Sequence, residues 1–164
     1  MGLPYDTFIS SFLMKITSYD YVNMEEEDFN AQAHTFLFGA CSEFEYVFRP
    51  RTNYSFTDRD NDARCFNWDL PVVINTPEYY DIISEDEVVD IVSEGMVLRW
   101  LKSFLYAGDG LELGNFLSTK DFSPYSPSNF LNSLRTLYDG TMENYRHLIN
   151  DFSYKHGDLR TLHM

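Results

Sequence analysis

The chain has 164 residues, 26 acidic against 12 basic, for a net charge of −14, and 17 % of it is aromatic, with 14 Phe and 12 Tyr. That length suits one domain around one core, and the acidic excess argues against binding nucleic acid or an anionic membrane, which attract basic surfaces through counterion release. No charged-then-apolar leader opens the sequence and no apolar run approaches the roughly 18 residues that span a bilayer, so a soluble protein made in a cytoplasm is expected.

Pro4 opens a first helical segment whose stripe of Phe8, Ile9, Phe12, Leu13 and Ile16 ends near Ser18 and Tyr19. Asn23 and Glu26 have the form of a capping box, and the acids from Glu25 to Asp28 lie at the positive end of the helix dipole. The acid cluster thus has a local structural explanation and is not read as a metal site. Phe29, Ala33, Phe36, Leu37, Ala40, Phe44 and Val47 continue a helical face that Pro50 ends. Cys41 falls within that apolar pattern and reads as a small buried hydrophobe; Cys41 and Cys65 form no C-x-x-C, so neither zinc nor a redox pair is indicated.

From Arg49 to Tyr80 the pattern changes to mixed charge, with Arg49, Arg51, Arg59 and Arg64 interleaved with Asp58, Asp60 and Asp62. This is a long loop, of the kind that in a compact domain is functional or ordered by a partner. Phe66, Trp68 and Leu70 alternate, as do fragments of Val72 to Ile74, which predicts a short extended piece or hairpin. Asp69, Glu78, Asp81, Glu85, Asp86, Glu87, Asp90 and Glu94 follow with no Lys or Arg among them. The plain reading is a solvated face; the sharper one is a surface that repels phosphate or meets a basic partner.

Ser84 and Glu87 form a second capping box, opening a helix through Val88, Ile91, Val92, Met96, Trp100, Leu101, Phe104 and Leu105. Val89, Val97 and Leu98 widen its apolar surface to most of the circumference, which marks it as the central helix. Gly108, Asp109 and Gly110 break it, and residues 110–125 form another loop.

Ser126 is then a candidate N-cap and Pro127 suits the first helical turn. Phe130, Leu131, Leu134, Leu137, Tyr138, Tyr145, Leu148, Ile149 and Phe152 recur at three-to-four spacing, and Gly157 offers a stop. A helix of roughly 26 residues is about 39 Å long, more than a domain of this size needs to cover its own core, so part of it is expected to meet a neighbour. The fold expected is mainly α: about four helices with a long C-terminal one, long loops and a short β-hairpin. Residues 1–154 make a single helical domain with 49–80 as a loop insertion. Residues 155–164, with Lys155, His156, Arg160 and His163, read as a small basic tail.

Sites of chemistry are not indicated. His34, His147, His156 and His163 lack metal-ligand spacing, and the eight glycines form no G-x-G-x-x-G or Walker loop. His147 and Asp151 stand one turn apart, in reach of a hydrogen bond, but such a pair is ordinary helix-surface decoration. No spacing selects a carboxylate pair for acid–base work. No catalytic, cofactor or metal residue is therefore named, and the chain is not read as an enzyme.

Four segments carry a resemblance: YDTFISSFLMKITSYD, AHTFLFGACSEFEYVF, EVVDIVSEGMVLRWLKSFL and STKDFSPYSPSNFLNSLRTLYDGTMENYRHLINDFSY. Their order, with Met96, Val97, Trp100 and Leu101 on one helix and Lys120, Asp121, Phe122, Tyr125 and Ser126 before the last, resembles the small helical head-to-tail connector, or neck, proteins of tailed bacteriophages. It covers roughly three quarters of the chain; the stretch from Arg49 to Asn67 departs from it, being richer in Arg and aromatics.

The resemblance implies a virion protein of the neck, assembled in the host cytoplasm as a homo-oligomeric ring, a dodecamer, between the portal protein and the tail or a tail-completion protein. Genomic DNA would pass through it without specific binding. A carboxylate-lined wall suits that passage, since it does not hold phosphates, and Glu85, Asp86, Glu87 and Asp90 are the candidate channel-lining acids. Leu148, Phe152, Tyr154, Lys155 and Arg160 are the candidate partner contacts. Two alternatives stand beside this: a neck-adjacent tail-terminator or baseplate component, and a small acidic inhibitor that mimics DNA.

Overall fold

The computed structural model describes residues 2–16, 26–48, 55–77, 79–106 and 127–156. These form four helices, α1 (Tyr5–Ile16), α2 (Glu26–Phe48), α3 (Glu85–Tyr106) and α4 (Pro127–His156). Two antiparallel two-stranded sheets lie between α2 and α3 in sequence: β1 (Arg59–Asp60) with β2 (Cys65–Phe66), and β3 (Val72–Thr76) with β4 (Tyr79–Ile83). The expected mainly helical class is what the chain adopts. The Asn23 and Ser126 caps, residues 107–126 and Arg160 lie outside the described residues.

α3 is the central element and packs on α1, α2 and α4. Every residue from Ile91 to Leu98 is buried, because neighbours cover α3 on three sides. Ser93 and Glu94 interrupt that apolar surface and are satisfied by partners: the Ser11 hydroxyl donates to Ser93 Oγ at 3.0 Å, and Glu94 takes Lys15 Nζ at 3.0 Å and Asn144 Nδ2 at 3.1 Å. Lys15 also reaches Asp90 at 2.6 Å. One carboxylate on α3 thereby joins α1 to α4. Burial works against the Lys15 charge, yet the hydrogen bonds to Asp90 and Glu94 prevail and raise its pKa.

The expected stripes point inward: Phe8, Ile9, Phe12 and Ile16 on α1, Ala33, Leu37, Ala40, Cys41 and Phe44 on α2, and Leu134, Tyr145 and Phe152 on α4 are buried. Burial among apolar neighbours pushes the Cys41 thiol up, so it stays protonated. Arg99 of α3 reaches across α2, where its guanidinium donates to the Gly39 carbonyl at 3.0 Å and approaches Glu43. A Cβ at position 39 would stand 2.8 Å from the Arg99 guanidinium carbon, so a side chain there would displace that guanidinium.

The long loop of the sequence is in good part ordered structure. Phe56, Phe66 and Trp68 are buried in an aromatic cluster with Tyr5, Phe8 and Phe44, rings meeting mostly edge to face. The indole N–H of Trp68 donates to the Phe56 carbonyl at 3.1 Å, satisfying the one polar group the ring brings inside. The N-terminal residues are sewn to this region by backbone bonds from Leu3 N to Trp68 O and from Phe66 N to Leu3 O. In the second hairpin Val72 stands opposite Ile83 and Val73 opposite Ile82. Val72 and Ile83 are buried, whereas Val73, Tyr80 and Ile82 of the other face are exposed, which is the period-two alternation of a one-sided sheet.

Candidate functional site

Glu87, Phe152 and Lys155, singled out in the sequence, meet with His156 at one corner of the molecule. The N-terminal turn of α3 carries Glu85, Asp86 and Glu87, and the C-terminal turn of α4 brings Lys155 and His156 against it. Acids thus cap the positive end of one helix dipole and bases the negative end of the other, each favourable. Ser84 precedes α3 as expected, and its hydroxyl donates to Glu87 Oε2 at 3.3 Å.

At the centre is His156, the residue that sequence reasoning placed in the tail. It is the last described residue of α4 and its side chain is wholly buried. Nδ1 meets Asp81 Oδ2 of β4, and Nε2 lies 2.9 Å from Glu87 Oε2 of α3. The Phe152 ring sits one turn back, 4.4 Å away between centroids. Lys155 pairs with Glu87 Oε1, and the Ile82 amide donates to Asp81 Oδ1 at 2.8 Å. Burial disfavours the Glu87 carboxylate, but bonds from Lys155 and His156 outweigh it and lower its pKa. The bond to Glu87 raises the pKa of Lys155.

Two corrections concern this corner. Lys155 and His156 belong to the helical body and not to a tail, because the charge cluster holds the helix through His156. Phe152, read as a partner contact, is buried within its own chain, 5.5 Å ring to ring from Phe44.

The remaining candidates divide. Leu148 is half-buried against the core, while Tyr154 is 72 % exposed. Of the four acids proposed to line a channel, Glu87 and Asp90 are engaged inside the chain, by Lys155 and His156 and by Lys15. Asp86 is exposed and Glu85 half-buried, and neither makes an ion pair among the described residues. His147 turns toward Glu143, 3.9 Å away, and not toward Asp151.

Among the described residues no group of three or more His, Cys, Asp or Glu side chains is arranged to hold a metal, and no helix is long and apolar enough to cross a membrane. Asp58 and Asp60 serve local ends: Asp58 accepts from Asn67, and Asp60 accepts the amides of Asp62 and Ala63. Among the described residues the imidazole of His156 faces the carboxylates of Asp81 and Glu87 in a buried bridge. No family model matches the chain, no curated protein matches it at a significant level, and no solved structure does so either.

Proposed function

We propose that the chain is a structural protein of a tailed-phage virion, a head-to-tail connector that assembles as a ring between portal and tail around the path of the DNA. The observation that carries this reading is α4, a helix of 30 residues. At 1.5 Å per residue it runs about 45 Å, longer than one small domain needs for its own closure. Its outer face is polar, its C-terminal end is braced by charge, and Tyr154 stands outward at that end. A fixed helix end that presents an outward tyrosine gives each subunit a contact of the kind a heterologous ring interface uses. The resemblance in the four sequence segments supplies the virion setting.

After the pairing of Glu87 and Asp90 within the chain, Glu85 and Asp86 are the acids best placed to face a channel. Acids neutralised by intrachain partners also fit a DNA mimic poorly, since a mimic needs carboxylates presented in free array. Negative-stain imaging with mass measurement, on the protein alone and mixed with portal rings, tests the proposal. Closed rings, alone or on the portal, are expected. A chain that stays monomeric beside portal rings, or particles lacking it that still join capsid to tail, would remove the connector reading. Stoichiometric blocking of nucleases would favour the mimic.

A further inference from the structure

We propose that the open edge of β3 is a docking site for an extended segment of a basic partner protein, which joins the β3–β4 hairpin as a third strand. The phase of the ladder exposes that edge. Val73 stands opposite Ile82 and Asn75 opposite Tyr80, but the Ile82 amide donates to Asp81 Oδ1 at 2.8 Å and so turns away from Val73. Val73 and Ile82 are therefore the kind of antiparallel pair that exchanges no backbone bonds, and Asn75 with Tyr80, one alternation further on, is the same. The backbone N–H and C=O groups of Val73 and Asn75 point out of the hairpin.

On β4 the corresponding edge is closed at Ile82 by the Asp81 carboxylate. On β3 neither Val73 nor Asn75 makes a backbone bond outside the hairpin to a described residue, and the sheet has no third strand among the described residues. Pro71 and Pro77, the next residues of that parity, carry no N–H, so they frame a short window of donors at Val73 and Asn75. No charged residue in Val72–Thr76 keeps another strand away. The side chains of Val73, Tyr80 and Ile82 lie exposed beside this edge, and residues of an added strand opposite Val73 and Asn75 place their own side chains on that same apolar face.

Charge and area choose the occupant. Val72 stands opposite Ile83, Glu85 follows Ile83 by two residues and Asp69 precedes Val72 by three, so chain length alone keeps both acids within about 7 to 11 Å of this end of the hairpin. A strand bearing Lys or Arg at that end is attracted there, and an acidic one is repelled. A second copy fits worse: each carries a net charge of −14. One short strand pair also buries far less than the roughly 1,200 Å² at which stable protein interfaces begin. A basic, apolar segment bound transiently by strand addition matches both conditions. The edge belongs to the single subunit, so the inference stands apart from the connector reading.

Amide hydrogen exchange followed by NMR on the full chain, with short peptides of alternating valine and threonine as probes, tests it. Peptides with two lysines at one end or the other cover both strand directions. One of them should slow exchange at Val73 and Asn75 and leave Tyr80 and Ile82 unchanged. Replacing its lysines by glutamates should weaken binding about tenfold at low salt, and the gap should close as salt is raised. Val73→Pro removes an amide that the hairpin does not use and should abolish the protection of Asn75. Should that variant not fold, Glu85→Gln combined with Asp86→Asn should reduce the lysine preference about threefold with the hairpin left intact. Equal binding of lysine and glutamate peptides, protection at Tyr80 and Ile82 in place of Val73 and Asn75, or no binding by any probe would overturn the proposal. So would protection of Val73 and Asn75 that grows with protein concentration alone, since a second copy would then be the occupant.

Discussion

Helices α3 and α4 are both long, but α3 is enclosed on most of its circumference and α4 on one stripe. Both end up tied to the rest of the protein by charge as well as by apolar contact. On α3 the charge is internal: Glu94 sits amid buried residues and is shared by Lys15 and Asn144. On α4 it is terminal, at His156 and Lys155. The difference follows from where burial removes water. A central helix has polar groups only where partners from two neighbours converge, whereas a peripheral helix is free along one side and needs fixing at its end.

The sharpest way to break this comparison is Phe152→Asp, which puts a carboxylate into the apolar contact between α4 and Phe44. Loss of an aromatic core side chain alone costs about 3–5 kcal/mol, and the buried charge adds to it, so global unfolding is expected in urea or thermal denaturation. A folded monomer that merely fails to assemble would instead return Phe152 to an intersubunit seam.

Glycines test the enclosure of the two helices directly. A Cβ at Gly95 of α3 would stand 3.3 Å from both Ala40 Cβ and Tyr145 Cε2, whereas nothing lies within 4 Å of one at Gly140 of α4. Gly95→Leu should therefore destabilise by about 3 kcal/mol through overpacking. Gly140→Leu should stabilise by about 0.5–1 kcal/mol through helix propensity. Denaturation midpoints moving in the same direction would show that the two helices are not differently enclosed.

Lys15→Met leaves the buried Glu94 with Asn144 alone and should cost about 2 kcal/mol in the same assay. Adding Glu94→Gln to it should recover part of the loss, because the uncompensated charge is then gone. A smaller effect than at Lys15 is expected at the terminal cluster. The folded pKa of Glu87 lies below its ordinary value of 4.5, so its contribution is complete above that value and is lost as pH falls through the folded one. Wild type should exceed Glu87→Gln by about 1 kcal/mol at neutral pH and converge with it in acid, as read from denaturation midpoints against pH.

The helices were legible because their signal is local. Phe8, Phe12 and Ile16, or Val88, Ile91 and Val92, declare a buried face by spacing alone, and Pro127 and Ser84 mark starts by backbone chemistry. Phe56 was missed since no periodicity surrounds it; its burial depends on Trp68 and Phe44 arriving from elsewhere in the chain. The second strand of the β3–β4 hairpin was hidden in an acidic run, though the alternation of Tyr80, Asp81, Ile82 and Ile83 with Val72 and Val73 opposite is visible once the register is known.

By itself the sequence determined the mainly helical class, the central place of α3 and the apolar stripes, because helix periodicity and capping are encoded within a few neighbouring residues. Only the tertiary structure decided what His156 is. Its partners, Asp81 and Glu87, lie 75 and 69 residues away. In sequence it stands among bases beside a glycine and looks like solvent-exposed tail; packing of α4 against β4 and the start of α3 turns the same residue into a buried bridge. Long-range pairing of charges depends on which surfaces exclude water together, and that is a property of the assembled core.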